Sequence, residues 1–276
     1  MQSIPKSSNA VIRWFKLDQF EPERAVTSNW VSSRTLLMIR TLPVLYGLIV
    51  LFGNMGTMAR DGLFQYFFCF FTDMTYIGLC SYLLCVYGHH VRYLLSPKPH
   101  TPQSFFNQWS FLNYLFVILY HTIICFNIVT PVVFWALIYG YIKNQVSNTE
   151  QWWLATSVHA VSFFMMMTEV TFTKMVCVPR MVLFPLFVLI LYTCLTFVIF
   201  AVDHAWVYPF LDWSQGAEAA IWYALVALVA VIGFFLNYGV HQLRDAVARR
   251  VHRRVHGNFD ETTDKVEVKN DAAEEV

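Results

Sequence analysis

The chain has 276 residues; 57% are hydrophobic, 17% aromatic and only 13% charged, with a formal net charge of +1. Soluble domains use about 25% charged residues, so this composition excludes an ordinary globular protein, and the near-zero net charge gives no reason to expect a nucleic-acid partner. No Lys or Arg occurs between Met181 and Gln242. A run of that kind belongs in lipid, where an unpaired charge is costly.

In chain order, residues 1–35 carry five basic and three acidic residues and read as a cytoplasmic N-terminal segment, lying on the membrane surface. They lack the apolar core of a cleaved signal. Apolar runs of membrane-crossing length then predict six spans: Leu36–Phe52, Leu63–Tyr87, Phe111–Tyr141, Leu154–Met175, Met181–Val202 and Ala219–Val240. The third is longer than a crossing needs and contains Pro131, which predicts a tilt or kink. Basic residues fall on alternate connections, at Arg92 and Lys98, at Lys174 and Arg180, and at Arg244–Arg254. Excess Lys and Arg marks the cytoplasmic side, so both termini are assigned there. The fold class is therefore an all-α polytopic membrane bundle of about six transmembrane helices. Its organisation is an N-terminal segment (1–35), a transmembrane domain (36–243) and a basic then acidic tail (244–276), largely disordered. Six cysteines, Cys69, Cys80, Cys85, Cys125, Cys177 and Cys194, lie mostly inside apolar runs without metal-ligand spacing and read as reduced thiols.

Function in a membrane bundle concentrates in polar groups that lipid would otherwise exclude. Here these are Arg40, Thr72, Asp73, Thr75, His121, His159 and Glu169. With a rise of about 1.5 Å per residue, Thr72 lies roughly 13 Å into the second span and His159 roughly 9 Å into the fourth, from the same side. A hydroxyl and an imidazole at shared depth are the elements of a nucleophile and its base. Glu169 lies about 15 Å deeper than His159, near the level of Arg40. That pairing would satisfy two buried charges. The adjacent His89 and His90 read as interfacial.

The stretch Trp206-Val207-Tyr208-Pro209-Phe210-Leu211-Asp212 ahead of the last span resembles the signature of the androgen-induced gene 1 family, which includes the androgen-dependent TFPI-regulating protein. Trp153-Leu154 followed by His159 and Glu169, and Phe70-Phe71-Thr72, fit two further family segments in order. The resemblance covers most of residues 63–240. It implies a multi-pass membrane hydrolase of fatty acid esters of hydroxy fatty acids. By motif position the threonine nucleophile is Thr72, the histidine is His159, and Thr75 is the alternative nucleophile. Residues 155–158 depart from the family pattern before the histidine. The N-terminal segment and the polar loop 96–108 look like additions.

The resemblance implies no metal or organic cofactor, and membrane lipid with a lipid ester as partners. The membrane would be the endoplasmic reticulum or the plasma membrane. Trp206, Tyr208 and Phe210 read either as interfacial anchors or as a lid and substrate-binding loop. Tyr76, one turn below Thr72, is a guess for an oxyanion donor. The residues alone also allow a non-catalytic scaffold or regulator, or a transporter using Asp73, His121, Glu169 and Arg40 as a polar path.

Overall fold

A computed structural model describes residues 6–96, 102–143 and 148–274, with side chains described as far as Arg254. Six long helical stretches make up the bundle. They are α1 (Ser33–Arg60), α2 (Phe71–Leu95), α3 (Ser110–Ile142), α4 (149–172), α5 (Leu183–Asp203) and α6 (Ala217–Glu274). Four stretches are long and apolar enough to cross a membrane: Ser33–Arg60, Ser110–Ile142, Pro179–Asp203 and Ala217–Arg254. The expected acidic, disordered end, 260–276, concerns residues outside those whose side chains are described.

The bundle is apolar on its outside. Met38 and Leu42 of α1, Ile190 of α5 and Ile221 and Leu243 of α6 are all more than 60% exposed. Water would not tolerate continuous apolar faces of this kind, whereas lipid requires them. The polar side chains turn inward instead. α2 and α4, which fall outside the four most apolar helices, carry Thr72, Asp73, Thr75, His90, His159 and Glu169, all buried. They are the inner helices: α2 packs against α1 and α3, and α4 against α1, α3 and α6. The α2–α3 contact is close: a Cβ on Gly78 would come within 2.7 Å of Ile123 Cδ1, so a larger residue there would have to displace the end of that side chain.

Two helices depart from regular α geometry where they meet. After Pro131, α3 opens into a π turn at Phe134–Ile138, and α4 has one at Ser157–Val161. Proline removes a backbone donor and crowds the preceding turn, a common origin of local irregularity.

The second span begins later than hydropathy predicts. α1 ends in a Schellman arrangement, with Leu63 N–H donating to Met58 O at 2.8 Å, Gly62 N–H to Ala59 O at 3.2 Å, and Gly62 at φ 72°. The left-handed glycine halts the helix. Residues 63–70 follow as turns, with Phe67 fully buried, and helix resumes only at Phe71. Thr72 therefore sits in the first turn of α2 rather than nine residues along a helix.

The N-terminal segment is part of the bundle's end rather than a strip on a surface. Leu17, Phe20, Ala25 and Val26 are buried, and Phe20 meets Phe105 and Phe116 at ring separations of 5.5 and 5.6 Å. Phe105, from the polar loop, stacks on His89 at 3.7 Å. The two segments read as additions thus pack on each other. His89 and His90 are buried, against the interfacial reading.

Next to this end, Arg40 and Glu169 form a two-point pair: Nε to Oε1 at 2.6 Å and Nη2 to Oε2 at 2.7 Å, with side chains 1% and 2% exposed. Arg40 Nη1 also reaches His90 Nδ1 at 2.7 Å, Nη2 donates to Ala25 O at 2.7 Å, and Tyr82 donates to Glu169 at 3.2 Å. His90 Nε2 in turn meets Ser33 Oγ at 2.8 Å. A buried guanidinium is tolerable only with this degree of satisfaction. One knot thereby joins α1, α2, α4 and the N-terminal segment. Breaking such a pair from one side costs about 3–5 kcal/mol. Glu169→Gln should sharply reduce the monodisperse fraction in fluorescence-detected size exclusion, whereas Asp212→Asn, half-buried in the loop before α6 and in no ion pair among the described residues, should not. Equal recovery of the two variants would contradict the assigned role of the knot.

Candidate functional site

The start of α2 poses an accounting problem. First-turn amides have no partner within their own helix, and here that turn is inside the bundle. The Phe71 N–H is met by two tyrosines, Tyr192 of α5 with its hydroxyl at 3.2 Å and Tyr208 of the loop before α6 at 3.1 Å. The Tyr192 hydroxyl passes its own proton to Cys69 O at 3.0 Å, which ties down the non-helical residues before α2. The Tyr208 hydroxyl also interacts with the Thr72 side chain. Three hydroxyls, from Thr72, Tyr192 and Tyr208, thus gather at one helix N-terminus.

These groups border a cavity of about 460 Å³ whose other walls are largely apolar, including Val129 and Val133 of α3, Leu186 and Ile190 of α5, and Val226 of α6. Cavities of about 300–1,000 Å³ with a few convergent polar groups are the usual form of a small-molecule site. Ile190 is 61% exposed and Cys194, also on the wall, is exposed, so the cavity reaches the outer face of the bundle beside α5.

Thr72 and Thr75 are separated by this geometry. The Thr75 hydroxyl donates to Thr72 O at 2.9 Å and borders a different cavity, of about 330 Å³, beside Leu119 and Leu195. Asp73 points elsewhere again and accepts from Asn54 Nδ2 at 2.8 Å, which links α2 to α1. The Tyr76 hydroxyl is buried with no hydrogen-bond partner among the described residues.

His159 sits within the π turn of α4. Its ring stacks on Phe134, itself in the π turn of α3, at 3.5 Å with an interplanar angle of 10°. π turns frequently occur at functional sites. His159 Nδ1 is buried and has no partner among the described residues. Nearby Ser157 is held on both sides, meeting the Tyr46 hydroxyl at 2.6 Å and donating to Trp153 O at 2.7 Å.

Among the described residues Thr72 and His159 share no hydrogen bond, and His159 does not line the Thr72 cavity. Phe134 directly follows Val133, which does line it. The imidazole therefore packs on the residue next to one that forms the wall.

The aromatic loop divides into two parts. Tyr208 and Phe210 stack at 5.4 Å and both border the cavity. Trp206 instead stacks on Phe200 at 4.4 Å and packs against α5. The sequence reading missed Tyr192, Asn54 and Phe134. None carries a local motif, since each matters through a partner more than 18 residues away in the chain. Among the described residues, no group of three or more His, Cys, Asp or Glu is placed to hold a metal ion. No family model, curated protein or solved structure matches this chain.

The shared acceptor arrangement at Phe71 has a testable signature. Tyr192→Phe or Tyr208→Phe alone leaves the amide one acceptor; Tyr208→Phe should change thermal stability little, and Tyr192→Phe should lose only its bond to Cys69 O. The double variant strands a buried N–H, at a cost of about 1–3 kcal/mol. Thermal unfolding of all four proteins in one detergent should show a double-variant loss larger than the sum of the singles. Simple additivity would contradict the shared-acceptor account.

Proposed function

We propose that this chain is an intramembrane lipid ester hydrolase, with Thr72 as nucleophile, His159 as general base, and fatty acid esters of hydroxy fatty acids as substrate. The observation that carries the reading is the placement of the Thr72 hydroxyl: at a buried helix N-terminus, on the wall of an apolar cavity that reaches the outside of the bundle. The resemblance to the androgen-induced gene 1 family supplies the substrate class and the pairing with His159. In this reading all six long helices span the membrane, both termini are cytoplasmic, and the cavity lies in the half of the bilayer away from the cytoplasm.

The chemistry follows. Acyl chains occupy the cavity from the lipid side, with the ester carbonyl beside Thr72. Thr72 Oγ attacks the carbonyl carbon while its proton passes to His159. The developing oxyanion is met by the Tyr208 hydroxyl and the positive end of α2, where preorganised donors are most effective. Collapse breaks the ester C–O bond, and the imidazolium returns its proton to the departing hydroxy-acid oxygen. Water, deprotonated by the same histidine, then cleaves the acyl-threonine. In the resting structure His159 is packed against Phe134, so proton transfer requires a shift of that ring or a bridging water.

A second reading is favoured by one observation: Thr72 interacts with Tyr208 and shares no hydrogen bond with His159. A non-catalytic lipid-binding scaffold would use the same cavity without a base. Hydrolysis of a palmitate ester of hydroxystearate by purified protein separates the two. Thr72→Ala and His159→Ala should each lower kcat/KM by on the order of 10²–10⁴-fold. The double variant should be no worse than either single. Thr72→Ser should keep measurable turnover, and Thr75→Ala should be near wild type because its hydroxyl is committed to the backbone. Undiminished turnover in both Thr72→Ala and His159→Ala would overturn the hydrolase assignment.

A further inference from the structure

At the opposite end of the bundle lies a second cavity, of about 550 Å³, with a different chemistry. Three parts of the chain build it. Arg24, Ser28 and Trp30 come from the N-terminal segment, Lys174 from the link between α4 and α5, and Arg249 from α6. The first two parts are joined by backbone, with Lys174 N–H donating to Arg24 O at 3.1 Å. Trp30 is fixed by its indole N–H, which donates to Thr171 O at 2.9 Å.

The charges in this cavity do not cancel. Arg24 is paired with Glu21 at 2.8 Å. Asp245, the one carboxylate on the wall, is held by Arg244 at 2.8 Å, and Arg244 itself is 3% exposed. Lys174 and Arg249 remain. Among the described residues no carboxylate lies within ion-pair distance of either. The Ser28 Oγ accepts from Trp30 N–H at 3.1 Å and Val31 N–H at 3.4 Å, so its remaining capacity is as an O–H donor. Two cations with no carboxylate partner among the described residues, and a hydroxyl beside them on a concave surface, are the recognition elements of a phosphate group.

Position decides the source of that phosphate. The cavity sits where the lipid-facing surface stops: Leu243 of α6 is 65% exposed, and the exposed arginines 249 and 250 follow within two turns. Trp30, partly exposed on the rim, is a residue type enriched at the headgroup level. We propose that this cavity binds the headgroup of a phosphomonoester-bearing phospholipid, whose dianionic phosphate matches the two cations. The site is distinct from the Thr72 cavity and does not depend on the hydrolase reading.

The test uses full-length protein in a neutral detergent and dioctanoyl phosphatidylinositol 4-phosphate as probe, with binding read by native mass spectrometry. Dioctanoyl phosphatidylcholine, inositol 1,4-bisphosphate and inorganic phosphate are run alongside. The phosphorylated lipid should bind more tightly than the other three. Lys174→Gln with Arg249→Gln should weaken it about tenfold or more, since both charge-assisted contacts to the phosphate are lost. Arg250→Gln with Arg253→Gln, on the same helix but off the cavity wall, should change it less than about threefold by comparison. Ala248→Glu places a negative charge on the wall of an exposed helix and should also abolish binding, without removing any contact the fold uses. Equal weakening by the two arginine-containing double variants would reveal diffuse attraction and overturn the site. Equal binding of phosphatidylcholine would also overturn it, and equal binding of the soluble headgroup or inorganic phosphate would overturn the lipid as ligand.

Discussion

A backbone amide without a partner cannot be left inside an apolar bundle, and the architecture around the Phe71 N–H is built on that constraint. Gly62 stops α1, residues 63–70 run without helix, and α2 begins at Phe71 within the protein. Its exposed amide requires acceptors that the helix cannot supply. Tyr192 and Tyr208 provide them, from a transmembrane helix and from the loop ahead of α6. To do so both rings must converge on the start of α2, and their convergence brings α5 and the loop around the cavity on which Thr72 lies. The same geometry aims the positive end of a 25-residue helix at that cavity. Of residues 63–70, Phe67 is buried, while Leu63, Phe64 and Phe68 are exposed on the outside of the bundle.

The other end of the molecule is organised by charge. The Arg40–Glu169 knot gathers α1, α2, α4 and Ala25 of the N-terminal segment, and Arg244 ties α6 to the end of α4 through Val170 O at 2.8 Å and Met175 O at 2.7 Å. A hydroxyl cluster beside a cavity at one end and a saturated ionic knot at the other differ in consequence. The knot leaves its groups little freedom, whereas the hydroxyls at α2 adjoin open volume. That contrast is why the chemistry is assigned to the Thr72 end and a structural role to the other.

Much of the helical architecture was legible because a long uncharged run has few alternatives to a membrane helix. Arg40 and Glu169 were legible as partners for a related reason: two buried charges at one depth have few other ways to be satisfied. The start of α2 was not legible. The segment Phe64-Gln65-Tyr66-Phe67-Phe68-Cys69-Phe70 is as apolar as a helix, and hydropathy does not distinguish aromatic turns from a span. The depth match between Thr72 and His159 therefore rested on a helix start eight residues too early. His90 was hidden for a different reason, because two adjacent histidines near a span end look the same whether they face headgroups or close a knot. Tyr192 lay in the most uniform apolar run of the chain, and only the fold shows which backbone group needs it. The aromatic loop read either as an anchor or as a lid; Tyr208 and Phe210 border the Thr72 cavity, while Trp206 packs on α5.

The central claim is that the Thr72 hydroxyl is the reacting group of this cavity. The most direct test is to label purified protein with a long-chain alkyl fluorophosphonate and locate the modified residue by peptide mass spectrometry. The account predicts an adduct on Thr72, suppressed when lipid ester competes and absent from the Thr72→Ala and His159→Ala proteins. An adduct confined to another residue, or labelling of Thr72 that persists undiminished in His159→Ala, would contradict it.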